Sequence, residues 1–155
     1  MTIRFARETE LEDINRLRKQ VFDLHAAGKP DVFKSDFSGE LRDYIRTIWS
    51  DPEQRIVVAE YDGALAGFAV LHHIVKPENP FMRERSFLDI DEFCVDEDFR
   101  RCGVASEMIR FIRDWAKQEG FCRLELNMWE FNREALAFYE AAGFTTYRRY
   151  MEIFL

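Results

Sequence analysis

The chain has 155 residues, 47% of them hydrophobic, and sets 22 Lys and Arg against 29 Asp and Glu for a net charge of -7. That length suits one domain with a single core over 1–155, no run approaches the roughly 18 to 20 apolar residues of a membrane span, and no signal-peptide pattern opens the chain, so a cytoplasmic protein is expected. The acidic balance argues against a nucleic-acid surface, where counterion release needs a basic face, and favours cationic partners.

Ile3 to Ala6 reads as a short first strand. Thr9 followed by Glu12 has the form of a capping box, and Leu11, Ile14, Leu17, Val21 and Leu24 recur at helical spacing, predicting a helix to about His25. A loop with Gly28, Pro30 and Gly39 follows. Ser38 or Gly39 opens a second helix whose Leu41, Tyr44, Ile45, Ile48 and Trp49 form one apolar stripe, read as core, and Asp51-Pro52 ends it. Arg55 to Tyr61 and Leu65 to Val75 are apolar, β-branched runs joined by Asp62-Gly63, which predicts an antiparallel hairpin. Lys76 to Arg85 carries Pro77, Asn79 and Pro80 and is expected to be a loop bordering a binding cleft.

Ser86 to Val95 is the next strand. A helix from Val104 to about Gln118 keeps Met108, Phe111, Ile112 and Trp115 on the 3.6-residue period, with Gly120 closing it, and Arg123 to Trp129 is a strand. Strand, helix and strand together predict a parallel βαβ unit. A short helix after Asn132 holds Phe138, Tyr139 and Glu140 and stops at Gly143, and Tyr147 to Leu155 alternates as a last strand.

Cys94, Cys102 and Cys122 make an odd count without CxxC spacing, so neither a disulfide framework nor a zinc site is supported. His25, His72 and His73 also lack metal-ligand spacing and are read as structural or surface residues. The turn Arg100-Arg101-Cys102-Gly103-Val104-Ala105, placed between a strand and a helix N-terminus, is a different matter. It offers unpaired N–H groups, the positive end of the macrodipole, a glycine free to take positive φ, and two permanent charges, which together suit an anionic ligand such as a diphosphate. The same six residues are equally compatible with a plain connection carrying solvated arginines. In the strand before it, regular alternation would put Asp89, Asp91 and Phe93 on one face and Ile90, Glu92 and Cys94 on the other, unless a bulge intervenes. Asp96, Glu97 and Asp98 read as a solvated acidic turn.

What surrounds the turn adds specificity. Val95-Asp96-Glu97-Asp98-Phe99-Arg100-Arg101-Cys102-Gly103-Val104-Ala105, then Leu124-Glu125-Leu126-Asn127, Asn132 and Ala135, Phe138-Tyr139-Glu140 and Gly143-Phe144 resemble the core of the GNAT superfamily of N-acetyltransferases. The resemblance spans 86–155 with its signature, and the first half matches the family's element order. It implies an α/β fold of the GNAT type: a mixed, mostly antiparallel central sheet of about six or seven strands with a central parallel βαβ unit and about four flanking helices.

It further implies transfer of an acetyl group from acetyl-CoA, as cosubstrate, to a primary amine by direct attack. An alkylammonium with a pKa near ~10.4 must first lose a proton, and a strand carboxylate, Asp91 or Asp89 with Glu92 in reserve, has that role by resemblance. Phe93, Cys94 and Val95 would line the cofactor arm, Phe93 and Val95 through main-chain hydrogen bonds. Arg100, Arg101, Cys102, Gly103, Val104, Ala105 and Ser106 would hold the diphosphate. Tyr139 would protonate the leaving thiolate while touching the cofactor, although its helical stripe with Ala135, Phe138 and Ala142 also suits a core aromatic. Asn132 would cap its helix and contact the arm. Cys94 and Cys102 are rejected as nucleophiles. Arg101 and Ala105 stand where the family often has glycine, which puts cofactor affinity in question. The expected acceptor is a small cationic amine; a protein lysine or N-terminal acetyltransferase and a non-catalytic acyl-CoA sensor are the alternatives, and a homodimer is an open expectation because dimers are common in the family.

Overall fold

The Asp62-Gly63 turn sets the sheet. Asp62 has φ 50° and Gly63 φ 80°, both left-handed, as a tight hairpin with the right-handed strand twist requires. In this computed structural model, which describes residues 1–155, β2 (Gln54–Tyr61) and β3 (Ala64–Lys76) pair antiparallel across that turn. β1 (Thr2–Phe5) lies antiparallel on β2, and β4 (Arg85–Val95) lies antiparallel on β3. β5 (Leu124–Leu126) joins β4 in parallel, giving one five-stranded sheet in the order β1-β2-β3-β4-β5.

Helices cover both faces. α1 (Leu11–Gly28) and α2 (Gly39–Ser50) pack Leu11, Ile14, Leu17, Ile45 and Ile48 against Ile56, Val58, Phe68, Val70 and Cys94. On the opposite face α3 (Val104–Gln118) packs Val104, Met108, Ile109 and Ile112 against Val57, Ala59, Ala69, Leu71 and Ile90. The alternation of inward residues along β2 and β3 is the period-2 geometry of a strand buried on both sides. Phe68 is fully buried, and its side chain alone contributes about 1.5–3 kcal/mol of transfer free energy. α4 (Arg133–Ala141) is short, and its Phe138 and Tyr139 lean on the α3 side of the core. No helix is long and apolar enough to cross a membrane.

Four expectations change. The α2 stripe is narrower than its sequence, since Ile45 and Ile48 are buried whereas Tyr44 and Trp49 are 48% and 37% exposed. The capping pair at the start of α1 is not Thr9 with Glu12. A 3-10 turn, Glu8–Glu10, precedes the helix, and the Glu10 carboxylate accepts the Arg7 amide at 2.7 Å. Arg4 of β1 holds the same carboxylate at 2.6 Å, so a tertiary ion pair overrides the local signal.

Five strands stand where about six or seven were expected, because Tyr147 to Leu155 forms no ladder. Its alternating apolar residues have no sheet neighbour: Tyr150, Met151, Ile153 and Phe154 are 83%, 94%, 84% and 75% exposed. The segment is tied down at Tyr147, whose hydroxyl donates to Glu125 at 2.6 Å, and at Glu152, which pairs with Lys29 at 2.5 Å. The predicted strand Arg123 to Trp129 shrinks to Leu124–Leu126, for a reason seated in β4 and described below.

Gly67 of β3 had no sequence signal and sits close against Val104 and Met108 of α3. A Cβ built there would lie 2.9 Å from the Cys94 carbonyl oxygen and 3.0 Å from Met108 Sδ. Backbone cannot yield as a flexible side chain does, so Gly67→Ala is expected to lower unfolding free energy in a urea titration by about 1–3 kcal/mol.

Candidate active site

β4 contains one residue more than its partner. The register runs Val70↔Glu92 and then Leu71↔Ile90, so Asp91 is the extra residue of a β-bulge. Directly opposed residues share a face. Asp89 opposite His72, Glu92 opposite Val70 and Cys94 opposite Phe68 therefore lie toward α1 and α2, while Ile90 opposite Leu71 and Phe93 opposite Ala69 lie toward α3. Regular alternation would have grouped Asp89 with Phe93; the bulge instead joins Asp89 to the face of Glu92 and Cys94.

The bulge also ends the parallel pairing. β4 and β5 align at Leu88↔Leu124, Asp89↔Glu125 and Ile90↔Leu126, and no further. Beyond that rung the two chains part. The Asp96 amide donates to the Ala66 carbonyl at 2.9 Å, which fixes the phase of the antiparallel ladder. Cys94 thus exchanges bonds with Phe68, whereas the N–H and C=O groups of Phe93 and Val95 turn away from β3 into the gap.

At the end of β4 the chain makes a short 3-10 turn, Glu97–Phe99, and enters α3 through Gly103, which has φ 81°. Arg101 has φ 64°, a left-handed value uncommon outside glycine, at a position where the resembled family often has glycine. No amide from Arg101 to Ser106 donates to a main-chain acceptor; the first helical bond is Glu107 N–H to the Gly103 carbonyl, at 3.1 Å. Arg101, Cys102, Gly103 and Ser106 are exposed, Ala105 half-buried, and Val104 turns its side chain into the core, so Val104 offers the site its amide alone. A run of free donors at the positive end of a fifteen-residue helix suits an anion.

The carboxylates of β4 meet different fates. Asp91 is exposed on the bulge. Burial, with help from the charges of Asp91 and Glu125, pushes the Asp89 carboxyl up to about 6. Glu92 is taken by Arg18, whose Nε reaches Oε2 at 2.9 Å and whose Nη2 reaches Oε1 at 3.0 Å. Asp96, expected in solvent, is 2% exposed and bonded by Arg16 at 2.5 Å and Gln20 at 3.2 Å. Burial opposes its ionisation, yet these donors and the Asp98 amide hold its carboxyl below the usual range.

From α4, Tyr139 packs edge-on to Phe93 with ring centroids 6.2 Å apart, and to Phe144 at 5.7 Å. Burial, then the neighbouring Cys94, pushes its phenol up to about 12. The hydroxyl has no bonding partner within the protein and is not sealed from the surface. Asn132 Oδ1 accepts the Ala135 amide at 3.2 Å, the cap its sequence position indicated. Burial pushes the Cys94 thiol up to about 12, which keeps it an unreactive neutral group. The structure thus brings Tyr139 against Phe93 on the α3 side of the gap, keeps Asp89 on the opposite face of β4 beside Glu125, and puts the Arg101–Ser106 amides beyond the end of β4.

Sequence reasoning missed Arg18, Arg16 and Gln20 of α1, Glu125 of β5, and an aromatic group on the loops. A signal existed for Arg18: with Ile14, Leu17 and Val21 it completes the i, i+3, i+4, i+7 stripe, and a charge on the inward face calls for a partner. The aromatic group has none. His25 stacks on Phe33 at 5.0 Å, Phe33 meets Trp129 at 5.1 Å, and Trp129 stacks on Phe131 at 6.4 Å, joining segments a hundred residues apart. A Cβ at Gly28 would run into the Phe131 ring, so this packing needs glycine there.

The acetyltransferase (GNAT) family model matches residues 18–144. Among solved structures, a tetramutant of the BH1408 protein from Bacillus halodurans has a TM-score of 0.94 at 25% identity, covering 100% of both chains. An acetyltransferase from Vibrio fischeri has a TM-score of 0.67 at 28% identity, covering 83% of this chain and 97% of its own. An aminoglycoside 6'-N-acetyltransferase from Acinetobacter haemolyticus has a TM-score of 0.77 at 19% identity, over 100% of this chain and 98% of its own, and shows the shared fold. No curated protein matches the chain in sequence.

The Asp89 shift has a consequence for stability. Its folded-state value lies above the ordinary aspartate value, so the folded chain holds the proton more tightly than the unfolded one. Stability from this group is complete below pH 3.8 and is lost as pH rises through about 6. Asp89→Asn is therefore expected to melt at a higher temperature than the parent chain at pH 7, and at a similar one at pH 4, by circular dichroism.

Proposed function

The chain belongs to the acetyltransferase (GNAT) family and is an acetyl-CoA-dependent acyltransferase; from that premise we propose that it acetylates the primary amine of a small cationic molecule by direct attack. The observation that carries the proposal is the end of β4–β5 pairing at Ile90↔Leu126, which leaves main-chain groups of Phe93 and Val95 unpaired on the strand that also carries Asp89, a carboxyl whose pKa is raised.

The residues present fit acetyl-CoA, which supplies an activated acyl thioester. Its diphosphate finds the free amides of Arg101–Ser106, with the charges of Arg100 and Arg101 beside them. Its amide-bearing arm finds donors and acceptors on Phe93 and Val95, which would bind it as a further strand in the gap. Asn132 spends its carbonyl on the α4 cap and keeps its amide nitrogen for the arm.

Asp89 is the proposed general base. With its pKa near 6 it is ionised at neutral pH, and burial makes it more basic than an ordinary aspartate, as removal of an ammonium proton demands. Asp91, on the bulge, adds negative charge that favours a cationic acceptor. Tyr139 is the proposed acid: with its pKa near 12 it stays protonated across the working range and presents an uncommitted O–H donor. A sensor that merely binds acyl-CoA would need the cradle but neither of these groups, which favours turnover. The net charge of -7 supports a cationic acceptor.

Purified protein mixed with acetyl-CoA and a panel of polyamines, aminoglycosides and amino-acid amines should release free CoA thiol. For an amine that works, kcat/KM should rise with pH through a midpoint near 6. Asp89→Asn should reduce it by about 10²–10⁴-fold, and Tyr139→Phe should reduce kcat with little change in acetyl-CoA affinity. Stabilisation by acetyl-CoA without thiol release from any amine would favour the sensor.

A further inference from the structure

The proposed acyl-carrier gap exists because one short piece of β4, Phe93 to Val95, is held off the end of β5. Both ends of that piece carry a carboxylate, Glu92 before it and Asp96 after it, and α1 grips each. At the first end the Arg18 guanidinium forks both oxygens of Glu92, at 2.9 and 3.0 Å. Its remaining donor, Nη1, is spent on Asn15 Oδ1 at 3.0 Å and on the Leu41 carbonyl of α2 at 2.9 Å. At the second end Arg16 reaches Asp96 Oδ2 at 2.5 Å, Gln20 Nε2 reaches Oδ1 at 3.2 Å, and Gln20 Oε1 accepts the Glu97 amide at 3.3 Å.

Arg18 is 4% exposed and Asp96 2%, while Glu92 is half-buried and Arg16 exposed, so each pair has one buried charge that would be stranded if its partner were removed. An arginine this deep is costly unless its fork is filled, and here the geometry of the fork also dictates where the bulged strand sits. The spacing of Arg16, Arg18 and Gln20 lets one helix address two points four residues apart on the strand.

We infer that Arg18 with Glu92, and Arg16 and Gln20 with Asp96, form a two-point clamp from α1 that sets the place of the Phe93 and Val95 main-chain groups, and that Arg18 and Glu92 are positioning residues for the carrier arm. This rests on the acetyl-CoA reading above. Glu92 accordingly acts through Phe93 and Val95, leaving proton removal to Asp89. The nucleotide end of the carrier is spared, because the Arg101–Ser106 amides are organised by Gly103 and α3 and share no contact with Arg18.

The test separates the two halves of the carrier by calorimetry on the full chain, using acetyl-CoA and, as the probe of the nucleotide end, phosphoadenosine diphosphate, which lacks the arm. Glu92→Gln keeps shape and removes charge; Arg18→Lys keeps charge and removes the fork. Both should weaken acetyl-CoA binding by about tenfold or more while leaving phosphoadenosine diphosphate within about twofold of the parent chain. A cooperative thermal transition confirms that each variant is folded, and Glu92→Gln is the variant to rely on if Arg18→Lys is not. Equal weakening of both ligands would mark the pair as merely structural and overturn the inference, as would acetyl-CoA binding unchanged in Glu92→Gln. Failure of the parent chain to bind acetyl-CoA, with phosphoadenosine diphosphate still bound, would overturn the acetyl-CoA reading and the clamp with it.

Discussion

One inserted residue in a strand governs this molecule. Asp91 has no counterpart in β3, and a β-sheet answers such an excess by bending the longer strand and changing which side chains share a face. The bend takes β4 away from β5 after Ile90↔Leu126, and the ladder cannot follow. Everything at the site descends from that: main-chain groups of Phe93 and Val95 lose their neighbour, Asp89 stays in the paired stretch one rung before its end, and α4 brings Tyr139 to pack against Phe93.

Electrostatics then sorts chemically similar groups into different tasks. Glu92 and Asp96 have guanidinium partners, and those of Asp96 help hold its carboxyl below the usual range, while Asp89 a few residues earlier has no hydrogen-bonding partner, is half-buried beside Asp91 and Glu125, and keeps its proton to about 6. Partner supply, more than depth, separates them: Asp96 is the most deeply buried of the three and yet the more acidic of the two shifted groups. The tyrosine follows the same logic in reverse. Surrounded by Phe93, Phe138 and Phe144 and close to Cys94, it is held in its neutral form, which is the form able to donate a proton.

The recurring 3.6 and 2.0 periods located α1 to α4 and β1 to β4 within a few residues, and Asp62-Gly63 located the hairpin, because those signals are local. Gly103 and Asn132 were legible for the same reason: a left-handed turn and a helix cap are properties of a few consecutive residues. The capping box of Thr9 and Glu12 was misread because Glu10, held by Arg4 of β1, accepts the Arg7 amide instead. Tyr147 to Leu155 was misread because alternation reports a preference for strand and says nothing about whether an unpaired edge lies within reach.

The sequence alone determined the element order, the glycine turn before α3 and the set of acidic and phenolic groups from which the proposed chemistry is drawn, since each depends on neighbours along the chain. Only the folded chain decided where the bulge falls, that Glu92 alone among Asp89, Asp91 and Glu92 has a cation partner, and that Arg16, Arg18 and Gln20 brace β4 from α1. Those outcomes turn on contacts between different elements, those of α1 with β4 reaching 74 to 80 positions along the chain, where register, burial and the local dielectric are set by packing and leave no trace in the spacing of residues along one element.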